Sequence, residues 1–208
     1  MSILPERGFV DLHESHDSSD TCFVYEHGWQ SWSPAGVYPG DVDHSPRPQK
    51  PIWQAMAFRP EVPAPASGFQ GEGLLAVVNA DGSADVFFSP RPDVSMASIR
   101  ARSVDGRLVV SADADVEIIH ADGLDAGLGE VGDRLASTLL RRPLEALPAG
   151  WCSWYTYWNN VTAEDVVANL DVIDREDLGM QVVQVDDGYQ RGIGDWLDDR
   201  PGFGSLDD

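Results

Sequence analysis

Residues 180–196 read MQVVQVDDGYQRGIGDW. Val182, Val183 and Val185 build an apolar run that ends on two adjacent carboxylates, Asp186 and Asp187, and then on Gly188. A strand that is apolar without alternation is one expected to be covered on both faces, as parallel strands are. Its charged end therefore poses a choice. The pair either faces solvent at an ordinary strand end or lines a polar pocket at the top of a sheet.

The residues upstream bear on that choice. Thr162 with Asp165 three positions on has the pattern of an N-terminal capping box, with Asp in place of the usual Glu. Val166, Leu170 and Ile173 then recur on one helical face, and Gly179 closes the helix. Before it stands GWCSWYTYW, residues 150–158, an aromatic and β-prone segment. Strand, helix and strand in so short a stretch make a βαβ unit, right-handed by strong precedent. Ligands of parallel α/β folds bind at the carboxyl ends of the strands. Asp186 and Asp187 sit at one such end, and Trp154, Tyr155 and Tyr157 just past the other.

Aromatic faces beside carboxylates suit sugars, whose C–H faces pack on rings while their hydroxyls donate to carboxylate oxygens. A core aromatic cluster with a solvated Asp pair fits the same residues. Consecutive strand residues point to opposite faces. The two carboxylates of a glycosidase must instead flank one glycosidic bond. Asp186 and Asp187 are thus better cast as hydroxyl anchors than as acid and nucleophile.

Toward the N-terminus the period changes to two. TCFVY at 21–25 reads as a strand leading into the loop EHGWQSWSPAG, and residues 39–67 are Pro-rich and irregular. LLAVV and ADVFF flank NADGS as one hairpin, SIRARS and RLVVSA flank VDG as a second, and DVEIIHA adds a strand. Residues 1 to about 122 are expected to be all-β and sandwich-like. From Asp125, Leu128, Val131, Leu135 and Leu139 recur at helical spacing until Pro143.

The chain has 208 residues, 42% of them hydrophobic, and a formal charge of −21. Such an acidic balance argues against nucleic acid and anionic membranes as partners. The start, MSILPERGFV, has no apolar signal region, and LLAVV is far too short to span a bilayer. Cys22 and Cys152 have no metal-ligand spacing and read as reduced thiols, so the expected location is cytoplasmic.

Other constellations fail. His13 and His16 lack further ligands. NADGSAD begins like a calcium loop but has Ala84 and Pro90 at the sixth and twelfth positions. GLGEVG, residues 127–132, lacks the strand-to-helix context of a dinucleotide fingerprint. No metal or cofactor is expected.

Three motifs, HGWQSWSP at 27–34, GWCSWYTYWNNVTAEDVVANL at 150–170 and VVQVDDGYQRGIGDW at 182–196, occur in an order that resembles family 36 glycoside hydrolases, the α-galactosidases or melibiases. The resemblance implies a β-supersandwich-like N-terminal domain over 1–124, shortened at its start. A linker helix and connector would follow over 125–148, and over 149–208 the first βαβ unit of a (β/α)8 barrel. It implies that Trp32 caps the pocket from the N-terminal domain, that Trp154 and Tyr155 line a galactose site, and that Asp186 and Asp187 bind galactose hydroxyls. Trp196 belongs to the motif with a less definite role.

The implied activity is retaining hydrolysis of terminal α-galactosides, with oligosaccharides as ligands and a homo-oligomer as a possible assembly of the full-length form. Such enzymes carry their nucleophile and acid/base after later barrel strands, so the catalytic pair is expected beyond Asp208 and the chain alone is expected to be an inactive fragment. A related α-N-acetylgalactosaminidase, a raffinose-synthase-like transferase and a non-catalytic galactoside-binding fragment are the alternatives.

Overall fold

The computed structural model describes residues 8–30, 33, 35–43, 57–139 and 145–204. The chain divides into two compact units, residues 1–142 and 143–208. In chain order the first holds β1 (Val10–Ser18), β2 (Phe23–Glu26), β3 (Gly36–Pro39), β4 (Phe69–Glu72), β5 (Leu74–Val78), β6 (Ala84–Phe88), β7 (Ser98–Val104), β8 (Arg107–Ala112), β9 (Glu117–Ala121) and the helix α1 (Leu124–Thr138).

Two antiparallel sheets result, ordered β1-β8-β7-β4 and β3-β2-β5-β6-β9. The expected hairpins form, with Leu74 opposite Phe88 in one and Val104 opposite Arg107 in the other. Phe69, Ile99, Ala101, Leu108 and Val110 from the first sheet pack with Val24, Leu75, Val77 and Phe87 from the second. This is a sandwich core, and each fully buried Phe, Leu or Ile in it contributes about 1.5–3 kcal/mol through the apolar area it removes from water.

The second sheet is covered on its other face too. Ala76, Ala84, Val86, Phe88 and Ile119 point away from the sandwich core and pack with Val131, Leu124, Leu128 and Leu135 of α1. That explains why LLAVV and ADVFF do not alternate: every residue of β6 is buried. The segment expected as a linker helix therefore contributes its apolar stripe to the first unit. Gly127 sets how closely it approaches. A Cβ there would lie 2.5 Å from Cγ2 of Val86, a buried and β-branched side chain with little freedom to move.

Two strands, β1 and β4, have no apolar signature. β4 is FQGE, yet all four residues are buried. Its polar groups are satisfied by one another. Ser98 Oγ donates to Glu72 Oε2 (2.6 Å), Gln70 Nε2 to Glu72 Oε1 (2.7 Å) and Arg100 Nε to Gln70 Oε1 (2.8 Å). The Gln70 amide donates to Glu26 Oε2 (2.9 Å), tying β4 to the opposite sheet. Buried carboxylates without such donors would cost several kcal/mol.

In the second unit β10 (Gly150–Cys152) pairs in parallel with β11 (Val182–Gln184), and α3 (Ala163–Arg175) lies between them in sequence. The aromatic segment after β10 is not extended. It turns into the short helix α2 (Trp154–Tyr157) and a 3-10 turn at Trp158–Asn160. The capping box forms as the sequence predicts. The Asp165 amide donates to Thr162 Oγ1 (3.1 Å), and the Thr162 amide to Asp165 Oδ2 (2.9 Å). β11 is shorter than its apolar run, and its valines are not covered within this unit: Val182 is 43% and Val183 38% exposed. A small core of Val161, Tyr189 and Phe203, with Val166 and Val185 against it, holds the unit together.

Three glycines of α1 test the packing. Replacing Gly with Ala in a helix ordinarily stabilises by up to about 1 kcal/mol. Gly129→Ala and Gly132→Ala, which meet nothing within 4 Å, should do so. Gly127→Ala should reverse the sign because of Val86. Urea denaturation of the three variants measures this, and stabilisation by all three would mean that α1 does not pack on β6 as described.

Candidate functional site

The site is built where β10 and β11 end together. Trp151 stands opposite Val183 and Cys152 opposite Gln184. The ladder continues one step further, with the Ser153 amide donating to the Gln184 carbonyl (3.1 Å). Ser153 is fully buried, and its Oγ accepts the Asp186 amide (2.9 Å). One hydroxyl thus fixes the backbone of the carboxylate pair to the neighbouring strand end.

The two carboxylates are held differently. Asp186 Oδ2 accepts Gln184 Nε2 (2.8 Å) and Cys152 Sγ (3.7 Å), and Oδ1 accepts the Asp187 amide (2.8 Å). Among the described residues Asp187 Oδ1 accepts only Gln190 Nε2 (2.6 Å), and Gln190 Oε1 in turn accepts the Gly188 amide (2.7 Å). A carboxylate offers about four acceptor positions. Asp186 uses three of them on its own chain. Asp187 uses one, so it keeps most of its capacity for an outside donor. Both side chains are half-buried.

Gly188 has φ +117, and a Cβ on it would lie 2.7 Å from the carbonyl carbon of Asn159. The carboxylate turn therefore presses directly on the 3-10 turn after α2. Arg200 secures that turn from the other side, donating to the Asn159 carbonyl (3.3 Å) and to the Val161 carbonyl. Beneath them Tyr189 is buried against Phe203, and its hydroxyl donates to the Trp196 carbonyl (3.0 Å).

Four of the five residues singled out from sequence thus fall in this unit. Asp186 and Asp187 follow β11, and Trp154 and Tyr155 open α2 directly after Ser153. Tyr155 is 84% exposed, while Trp154 is half-buried, its ring centroid 5.0 Å from that of Trp158. Trp32 lies outside the described residues. Of its loop, Gly28 packs against Ser33, and the His27 carbonyl accepts the Glu72 amide (3.0 Å). Burial holds the His27 imidazole below its ordinary pKa, and Tyr25 Oη lies 3.1 Å from its Nδ1. Sequence reasoning did not single out Ser153, Gln184 or Gln190. Their side chains act on backbone and on carboxylates rather than on a recognisable ligand.

The candidates set aside from sequence have structural uses. His120 Nδ1 lies 2.5 Å from Asp85 Oδ1, joining β9 to β6, and His13 Nε2 of β1 lies 3.3 Å from Asp85 Oδ2. Among the described residues no group of three or more His, Cys, Asp or Glu is placed to hold a metal ion. Both cysteines are free, and burial pushes the Cys22 thiol pKa up. No helix among the described residues is long and apolar enough to cross a membrane.

No protein-family model matches the chain. Among solved structures it is similar to the α-galactosidase of Thermus thermophilus in complex with p-nitrophenyl α-D-galactopyranoside. That match has 23% identity and a TM-score of 0.61, and covers 90% of this chain and 37% of that one. The same enzyme in complex with stachyose gives 24% identity and a TM-score of 0.64, covering 90% of this chain and 39% of that one. Nine-tenths of this chain is similar in fold to part of that enzyme. The chain spans under two-fifths of the length of those structures.

Gly188→Ala tests the turn. A side chain at that φ, driven into the Asn159 backbone, should cost more than about 1 kcal/mol. It should also shift the Trp158 environment, read as a changed near-ultraviolet circular dichroism band. A variant with unchanged stability and spectrum would mean that the two turns do not touch.

Proposed function

We propose that this chain carries the galactoside-binding residues of a retaining α-galactosidase of the family 36 type. Asp187 is the principal acceptor for sugar hydroxyls, Asp186 a second one, and Trp154 and Tyr155 present ring faces to the sugar. In this reading residues 1–124 form the supersandwich-like domain. Residues 125–148 lead onward, and β10, α3 and β11 are the first βαβ of a (β/α)8 barrel. The exposed apolar faces of Val182 and Val183 support that last point, because such a strand suits a larger parallel sheet. The likeness in fold to the Thermus enzyme supports the same reading.

The observation that carries it is the spare acceptor capacity of Asp187 among the described residues, on the segment that follows β11, while the exposed Tyr155 follows the paired strand β10. Sugar hydroxyls donate to carboxylates, and each such charge-assisted bond is worth about 1.5–3 kcal/mol. The reading assigns no nucleophile or general acid within residues 1–208. Retaining hydrolysis needs two carboxylates flanking one bond, whereas Asp186 and Asp187 are adjacent and bonded through the Asp187 amide. The 208-residue chain is accordingly proposed to bind sugar without turning it over.

The two aspartates should separate on mutation. Asp187→Asn should weaken binding of methyl α-D-galactoside by roughly 10- to 200-fold with little change in stability. Asp186→Asn should lower the melting temperature as well, because three donors of its own chain converge on that carboxylate. Calorimetric titration together with thermal melts distinguishes the two. Wild-type affinity in Asp187→Asn would place that carboxylate in solvent and remove the reading.

A further inference from the structure

Trp158 is held at φ 53° and ψ −136°. That lies outside the helical, extended and left-handed wells, in a region where a bulky side chain is a genuine outlier. Trp158 is 59% exposed, so no packing among the described residues accounts for the conformation. Contacts on each side enforce it. The Trp158 amide donates to the Trp154 carbonyl, which anchors it to α2. The next residue, Asn159, is pressed between Gly188 and Arg200. Strain that the surroundings over-determine at a candidate site points to use of the side chain.

The geometry around the ring narrows that use. The Trp154 and Trp158 rings are tilted by 56°, so their faces look in different directions and one flat pyranose cannot stack on both. Thr156, Asn159 and Asn160, around Trp158, are exposed neutral hydrogen-bonding residues. A protein partner would want contiguous apolar area here. A sugar wants one ring face and several amide or hydroxyl groups at its edge.

We infer that Trp158 is a further sugar-contact residue. Its indole packs against the C–H face of a second pyranose, adjacent to the one that the carboxylate pair holds, and so sets preference for oligosaccharides over single galactosides. This rests on the site reading given above, and the experiment separates the two.

The protein and its Trp158→Gly and Trp158→Phe variants are titrated by fluorescence in the cold with methyl α-D-galactoside and with stachyose. Glycine removes the ring and also suits the strained backbone, so the melting temperature should hold or rise. Stachyose affinity of Trp158→Gly should fall about tenfold, the equivalent of losing half an indole face of buried area. Affinity for methyl α-D-galactoside should stay within about twofold on the same scale. Trp158→Phe, which keeps a ring, should retain most of the stachyose affinity. Unchanged stachyose binding in Trp158→Gly would overturn the inference, as would equal loss of both ligands, and the Asp187 reading would survive either result. Failure of the wild-type protein to bind either sugar would overturn the site reading and this inference together.

Discussion

The hydrogen bond from the Asp186 amide to the buried Ser153 hydroxyl is the constraint from which the site follows. It acts at the point where the ladder between β10 and β11 ends, so the parallel register decides where the carboxylates lie. A one-residue slip would turn each side chain to the other face. With that bond in place, Gln184 and Cys152 occupy Asp186 and Gln190 steadies one oxygen of Asp187. Among the described residues nothing takes up the remaining acceptor positions of Asp187. Pre-organisation of this kind lowers the ordering cost that a ligand would otherwise meet.

The first unit follows a different constraint, the covering of one sheet on both faces. Residues of β5 and β6 alternate between the sandwich core and the face under α1. The sheet therefore reads as unbroken apolar runs, and the helix must come close enough to seal it. At β4 the same demand is met with polar residues. Glu26, Gln70, Glu72, Ser98 and Arg100 are all buried, and their donors and acceptors are matched to one another. Networks of this kind are stabilising only when complete.

The parts of the fold that were legible in the sequence are those governed by local rules. The hairpins around NADGS and VDG, the periodic helix from Leu124 and the Thr162–Asp165 capping box each depend on a few neighbouring residues. β1 and β4 were illegible because much of what they bury is polar, such as Ser15 in β1 and Gln70 and Glu72 in β4, so hydrophobic periodicity carries no signal for them. The aromatic segment after β10 was misleading in the opposite sense. Trp and Tyr favour strands, yet Trp154–Tyr157 is helical because Ser153 directs the chain out of the sheet. For the candidate site, the motif singles out the two carboxylates and the aromatic residues, and the structure places them just after the paired strands β11 and β10. Ser153, Gln190 and the strained Trp158 could not be read from the motif, because their roles arise only once the two turns are brought into contact.

Where a galactoside meets this chain is tested most directly by a crystal structure of the protein with bound methyl α-D-galactoside. It should show Asp187, and with it Asp186, within about 2.5–3.0 Å of galactosyl hydroxyls. The ring of Trp154 or Tyr155 should lie against the C–H face of the sugar. A galactoside bound elsewhere, with the free oxygen of Asp187 facing bulk water, would contradict the account.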